Sequence, residues 1–151
     1  MGRVTDHPQL ALDEQLCFPL YAATRAVTQR YAELLADVGL TYPQYLTLLA
    51  LWEADGPVSV GDLGRRLRLD SGTLTPLLKR MEAAGHVSRR RDPADERRVL
   101  VEPTAAGAAL RDRVADVPGR LLEGMGLSFE ELLRLRRDLG TLLQGLDASA
   151  G

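Results

Sequence analysis

The sequence predicts a mainly α chain with a small β-hairpin, an α+β winged helix-turn-helix. Three observations carry that expectation. Residues 59–85 hold two short helical patterns joined by a tight link at 68–70, which is how a helix-turn-helix is written. HVSRRR and RRVLVEP then read as two short strands around the charged turn DPADE, so a hairpin follows the second helix directly. Long Leu- and Ala-rich helical patterns flank this centre on both sides.

The elements follow in order. Leu16, Leu20, Ala23, Val27 and Leu34 recur on one face of a first helix expected over 11–38, with Gly39 as its stop. In TYPQ, Thr41 is the N-cap, Pro43 sits in the first turn and Gln44 closes a capping box, opening a helix that runs to Asp55-Gly56-Pro57. SVGD starts another boxed helix over 59–67. SGTLTPLLKRMEAAG follows, with Leu74, Leu77, Leu78 and Met81 as its buried face, Pro76 near its start and Gly85 at its end. Thr104 begins a helix expected to reach about Met125, interrupted or kinked at Pro118-Gly119. Ser128 and Glu131 box the last helix.

In that last helix Leu132, Leu135, Leu139, Leu142 and Leu146 alternate three and four apart, the spacing of a partner-helix seam. The outer helices are more apolar than so small a centre can cover. A two-fold homodimer through the N- and C-terminal helices is the expected solution. Folding back of these helices on the centre is the alternative. The chain is read as one domain, 1–151: 59–102 as the winged-helix part, 11–56 and 104–147 as dimerisation and sensor helices.

With 151 residues, 45% of them hydrophobic, the chain is long enough for a real core. It has no apolar run of about 18 residues that would cross a membrane, and MGRVTDHPQ lacks the apolar stretch of a signal peptide. A cytoplasmic protein is expected. One cysteine and two histidines exclude an internal disulfide and argue against a zinc site, and no metal or cofactor is expected. The net charge of −2 hides a pattern. Residues 59–102 carry ten basic against seven acidic residues, whereas the rest carries nine against fourteen. A basic centre between acidic ends suits a module that meets double-stranded DNA.

On a helical projection of 71–85, Gly72, Pro76 and Lys79 lie opposite the leucine face. Thr73 and Arg80 occupy one shoulder and Thr75 the other. Small and hydroxylated residues at a helix start permit close approach to base edges and phosphates, and Lys79 or Arg80 can then reach a guanine or the backbone. Arg97 and Arg98 flank the hairpin tip, as a minor-groove contact requires. Any one of these charges alone reads as solvated surface; their ordered combination favours DNA.

Cys17 is the one cysteine. A lone helical cysteine is usually a small buried hydrophobe. Here Cys17 shares a shoulder between apolar and polar faces with Tyr21, Thr28 and Leu35, and lies early in its helix, where a thiolate is favoured. All four tyrosines, Tyr21, Tyr31, Tyr42 and Tyr45, fall in the first two helices. Phenolic hydroxyls can donate to a thiolate; core aromatics are the alternative, preferred for Tyr45.

LDEQLCFPLY, LTYPQYLTLLALWE, LDSGTLTPLLKRMEAAG and DPADERRV together resemble the organic hydroperoxide resistance regulators (OhrR) of the MarR family of repressors. The similarity spans about 12–146. It implies a dimeric repressor, not an enzyme, that releases its operator when a cysteine sulfenic acid forms. The family's reactive cysteine matches Cys17. Its cysteine-contacting tyrosines match Tyr31 and Tyr42, supplied across the dimer interface, with Tyr21 nearby. The recognition helix matches 71–85, with contacts at Ser71, Thr73 and Arg80, and the wing's Asp-x-Arg unit matches Asp95, Glu96 and Arg97. The resolving cysteine found in one branch is missing, so the chain resembles the one-cysteine branch.

On this reading Leu16, Phe18, Leu20 and Trp52 supply an apolar setting for an organic hydroperoxide. A low-molecular-weight thiol, or a backbone nitrogen, then caps the oxidised sulfur. Two rivals remain: a repressor that reversibly binds a phenolic or aromatic-acid ligand, which needs no cysteine, and a thiol peroxidase, which has no use for a basic wing.

Overall fold

The computed structural model describes residues 7–151. They divide into two units, the first ending at Val117 and the second spanning Pro118–Gly151. In the first unit two 3-10 turns, Pro8–Leu10 and Leu12–Glu14, precede α1 (Cys17–Leu34). The helix expected from residue 11 therefore starts six residues later. Pro19 sets this boundary. It has no N–H to return to the Gln15 carbonyl, and a proline is tolerated only in a first turn. Gln15 Nε2 instead donates to the carbonyls of Gln9 (2.7 Å) and Ala11 (3.1 Å), tying the turns together.

The helix expected to reach Val38 ends at Leu34, and a separate 3-10 turn, Ala36–Val38, leads to Gly39, which takes the left-handed conformation (φ 67°) of a stop. Helix α2 (Tyr42–Glu53) carries both halves of the expected capping box between Thr41 and Gln44. Val58–Ser59 then forms β1, a two-residue strand that the sequence reading missed. Ser59 serves twice, pairing with Leu100 in the sheet and capping α3 (Val60–Leu67) by accepting from the Asp62 N–H. The expected box is altered here. The Asp62 carboxylate accepts a hydrogen bond from the Ser59 hydroxyl (2.6 Å) rather than reaching back to the backbone.

Helix α4 (Ser71–Ala83) buries the four residues expected of it: Leu74, Leu77, Leu78 and Met81 are all at most 5% exposed. They pack in a core shared with Leu48, Leu63 and Val101. Each such side chain contributes about 1.5–3 kcal/mol by leaving water. β2 (Val87–Asp92) and β3 (Asp95–Pro103) make the hairpin, and the antiparallel sheet runs β1-β3-β2. The strands reach further than expected, leaving only Pro93 and Ala94 as the turn.

The ladder is irregular at the tip. Arg91 pairs with Val99, yet Asp92 pairs with Asp95, so Glu96, Arg97 and Arg98 are extra residues on β3. They form a bulge, which strengthens twist and frees side chains from the ladder.

Helix α5 (Ala105–Arg113) is capped by Thr104 and locks the root of the hairpin. Thr104 Oγ1 donates to the Gly85 carbonyl (2.6 Å) and its N–H to the His86 carbonyl (3.1 Å). Gly107 lies so close that a Cβ there would stand 1.9 Å from the His86 oxygen. The Trp52 indole donates to the Gly107 carbonyl (3.2 Å), bringing α2 to the same point.

The kink expected at Pro118 falls earlier. Helix α5 ends at Arg113, and α6 (Val117–Glu123) begins one residue before the proline. Pro118 cannot donate to the Val114 carbonyl, so the helix breaks there and restarts with proline in its first turn.

In the second unit, Ser128 and Glu131 cap α7 (Phe129–Ser149) with both bonds of the expected box. The Ser128 backbone N–H holds the Glu131 carboxyl below its usual range. No residue of α7 is buried: Leu132 and Leu139 are half-buried, while Leu135, Leu142 and Leu146 are exposed.

Candidate functional site

The α4 residues singled out from the sequence lie on its outer side. Ser71, Thr73, Lys79 and Arg80 are exposed, and Thr75 is half-buried. The helix starts under an Asp70 cap, whose Oδ1 accepts from the Thr73 N–H (2.7 Å). Pro76 is also exposed. The leucine face therefore points into the core and the small, hydroxylated and cationic face points outward, which is the orientation a reading helix needs.

The wing carries the other cations. The Arg97 side chain is 91% exposed, and Asp95 Oδ1 accepts from both its N–H (3.1 Å) and its Nε (3.2 Å). These bonds hold the Asp95 carboxyl below the ordinary carboxylate range. The Asp-x-Arg unit thus fixes the base of Arg97 while leaving the guanidinium in solvent. Arg98 is placed differently: Nη1 lies 3.4 Å from Asp92 Oδ2 and Nη2 lies 3.6 Å from Asp62 Oδ2.

The sequence reading missed the acidic partners of this surface. Glu82, at the end of α4, accepts from the Arg89 N–H (3.0 Å), its Nε (3.3 Å) and its Nη2 (2.9 Å). The arginine holds the Glu82 carboxyl below its usual range. This fork ties α4 to the first strand of the wing. Asp62 takes bonds from Ser59 and Arg65, and both lower its pKa. Only the capping position of Asp62 was visible in the sequence; Glu82 meets Arg89 where α4 packs on β2, and Asp92 meets Arg98 across the bulge. Between α3, α4 and the wing lies an open cleft of about 550 Å³, lined by Asp62, Arg65, Thr75, Arg89, Arg97 and Arg98 among others.

The thiol lies elsewhere. Cys17 is the first residue of α1 and is exposed. No side chain caps this helix end, so no protein side chain competes with a thiolate for the positive end of the helix dipole. Around it Leu16 (80%), Phe18 (42%) and Leu20 (38%) are exposed apolar residues. Trp52 is not among them, because its indole is committed to α5. Tyr21, one turn on from Cys17, is exposed, and Arg25 lies 5.8 Å from its ring centre.

Tyr31 and Tyr42 are brought together, but not to the thiol of their own chain. Their rings stack at 4.0 Å and 8°, with Tyr45 tilted against Tyr31 at 5.5 Å. Tyr45 is buried, as expected of a core aromatic. Burial raises all three phenols, Tyr31 to about 12 with help from the neighbouring phenols, so these hydroxyls remain protonated donors. Fourteen residues of helix separate Tyr31 from Cys17, about 21 Å at 1.5 Å per residue. One chain therefore holds a thiol at one end of α1 and a set of phenol donors at the other.

Comparison with known proteins agrees with this architecture. The MarR family profile matches residues 38–98. An organic hydroperoxide resistance transcriptional regulator of Bacillus subtilis is 48% identical over 93% of this chain and 94% of its own. The transcriptional regulator TtmR of Methylorubrum extorquens is 49% identical over 97% of this chain and 74% of its own. Among solved structures, reduced AbfR bound to DNA superposes with a TM-score of 0.82 at 34% identity, covering 97% of this chain and all of that one. The AbfR of Staphylococcus epidermidis follows at 0.75 and 34%, covering 93% and 96%. With the winged helix, its outward cations and these relatives in agreement, the chain belongs to the MarR family of transcriptional regulators.

Proposed function

We propose that this regulator is a cytoplasmic homodimeric repressor that binds operator DNA and releases it when an organic hydroperoxide oxidises Cys17. The observation that carries the reading is the single cysteine, exposed in the uncapped first turn of α1 and flanked by apolar side chains. The match to an organic hydroperoxide resistance regulator supports it.

A two-fold pairing that sets α1 against a partner's α1 in the opposite direction carries each thiol to the other chain's Tyr31–Tyr42 pair. The exposed apolar residues of α1, and separately those of α7, are surfaces such a dimer covers. Ser71, Thr73, Thr75, Lys79 and Arg80 then face a major groove. Arg97, steadied by Asp95, enters the minor groove beside it.

The chemistry is a two-electron oxidation. The Cys17 thiolate attacks the outer oxygen of ROOH, the O–O bond breaks, and the alkoxide leaves as ROH with a proton from solvent or a phenol. The sulfur is left as sulfenic acid. A low-molecular-weight thiol then displaces water to form a mixed disulfide, since the chain offers no second cysteine. The bulk of that adduct separates tyrosine from sulfur and shifts the helices that space the two reading heads.

The test is DNA binding under graded cumene hydroperoxide for wild type and Cys17→Ser, with hydrogen peroxide as a comparison. Wild type is expected to dissociate and to rebind after a thiol reductant, while Cys17→Ser stays bound. Release of both proteins alike refutes the thiol sensor and leaves a ligand-responsive regulator of the same fold.

A further inference from the structure

The bulge at the wing tip leaves Glu96, Arg97 and Arg98 without ladder partners, so side chains must set where the tip lies. Arg91 Nη1 donates to the Glu96 carbonyl (2.7 Å) within the hairpin, and the contacts that run inward start from Asp92. Asp92 is 9% exposed, and its Oδ1 accepts from the Ala94 N–H (2.9 Å), closing the turn. Its other oxygen faces Arg98, which also reaches Asp62 on α3. A carboxylate that far from water needs a counter-charge. Asp62 is itself held by Ser59 and Arg65, and Ser59 pairs with Leu100, two residues beyond Arg98. The circuit of α3, Arg98, wing tip and sheet is closed. Its two carboxylates and two guanidiniums balance in charge.

We infer that Arg98 is a positioning residue that pins the wing tip to α3 and sets the reach of Arg97, rather than a contact to DNA. This departs from the paired role for Arg97 and Arg98 that the sequence suggested. Arg98 is half exposed and both of its Nη atoms face carboxylates of other segments, whereas Arg97 gives only Nε to Asp95, two residues away, and its side chain is otherwise in solvent. A phosphate contact releases counterions and a neutral clamp does not, so the two roles differ in salt dependence.

The DNA arm of this inference rests on the proposed operator binding; the exchange arm does not. The probe is a duplex selected by the wild-type protein from a randomised pool. Affinity is measured across salt concentrations for full-length wild type, Arg97→Gln and Arg98→Gln. Amide hydrogen exchange of residues 92–98 is followed in the free proteins. Arg97→Gln is expected to lower the slope of log K against log salt by about 0.9 per site with tip exchange unchanged. Arg98→Gln is expected to leave the slope unchanged, speed exchange at the tip and weaken binding roughly two- to fivefold, the scale of an exposed ion pair.

Asp62→Asn provides a second route that leaves the Arg98 charge in place. A clamp predicts faster tip exchange, while a DNA contact predicts unchanged exchange and tighter binding through the lost negative charge. If Arg98→Gln lowers the slope as Arg97→Gln does and exchange stays at the wild-type rate, the clamp is refuted and operator binding stands. If wild type selects no duplex, operator binding fails, and tip exchange in the two clamp variants alone decides for or against the pin.

Discussion

Replacing Gly107 with alanine tests the junction that anchors the wing hairpin to α5. An added Cβ would lie 1.9 Å from the His86 carbonyl oxygen and 2.9 Å from its carbon, and both are backbone atoms. The first distance is more than 1 Å short of ordinary contact. The oxygen cannot swing aside like a side-chain end, because it accepts the Thr104 N–H at 3.1 Å. Overpacking of this kind costs about 1–3 kcal/mol. Loss of the bond to Thr104 adds about 0.5–1.5 kcal/mol, while alanine's better helix propensity returns about 0.5–1 kcal/mol.

The net loss is on the order of 2 kcal/mol. Urea denaturation followed by circular dichroism reads it as a lower midpoint at unchanged slope. Protein concentration must be fixed, because association into the proposed homodimer would stabilise by mass action. Gly61→Ala is the control. Its Cβ would meet only the end of Arg65 at 3.8 Å, so stability is expected to hold or to rise by up to about 1 kcal/mol. A Gly107→Ala protein as stable as Gly61→Ala would refute the close approach.

Other outcomes follow from the charges and phenols. The Glu82 carboxyl is depressed by Arg89, so its contribution is present above the unfolded value near ~4.3 and is lost as pH falls through the folded value. Glu82→Gln is therefore expected to flatten the acid limb of a stability–pH curve. Tyr31 has the opposite sense. Raised to about 12, it contributes stability that is complete below the unfolded value near ~10 and is lost as pH rises towards 12, so Tyr31→Phe removes the last phenolate step from an absorbance titration and softens the alkaline loss. On the operator-binding reading, Arg80→Ala is expected to cost about 1–3 kcal/mol if it reads a base, with the free protein's thermal unfolding unchanged.

Local chemistry made much of this protein legible in its sequence. The capping boxes at Thr41–Gln44 and Ser128–Glu131, the αL stop at Gly39 and the buried face of α4 stand as expected, because each depends on residues within one or two turns. The misplaced boundaries share one cause. Pro19 and Pro118 both end pairing at the carbonyl four residues earlier; periodicity running through Pro19 hides the first break, while the second is expected but at the proline rather than before it. The strand at 58–59 was missed because two residues carry no period.

The sequence by itself determined the architecture and the chemical inventory: a winged helix between apolar helices, one thiol, and four tyrosines in the first two helices. Only the tertiary structure decided which of these groups meet. Packing of α4 against β2 joins Glu82 to Arg89, and the bulge brings Arg98 back to Asp92 while Arg97 stays outward. Helix length sets Tyr31 about 21 Å from Cys17 at 1.5 Å per residue, while packing stacks that tyrosine on Tyr42. The physical reason is range. Caps and turns are paid for by neighbours along the chain, whereas ion pairs and ring stacks form between segments that only a folded sheet and core bring to one place.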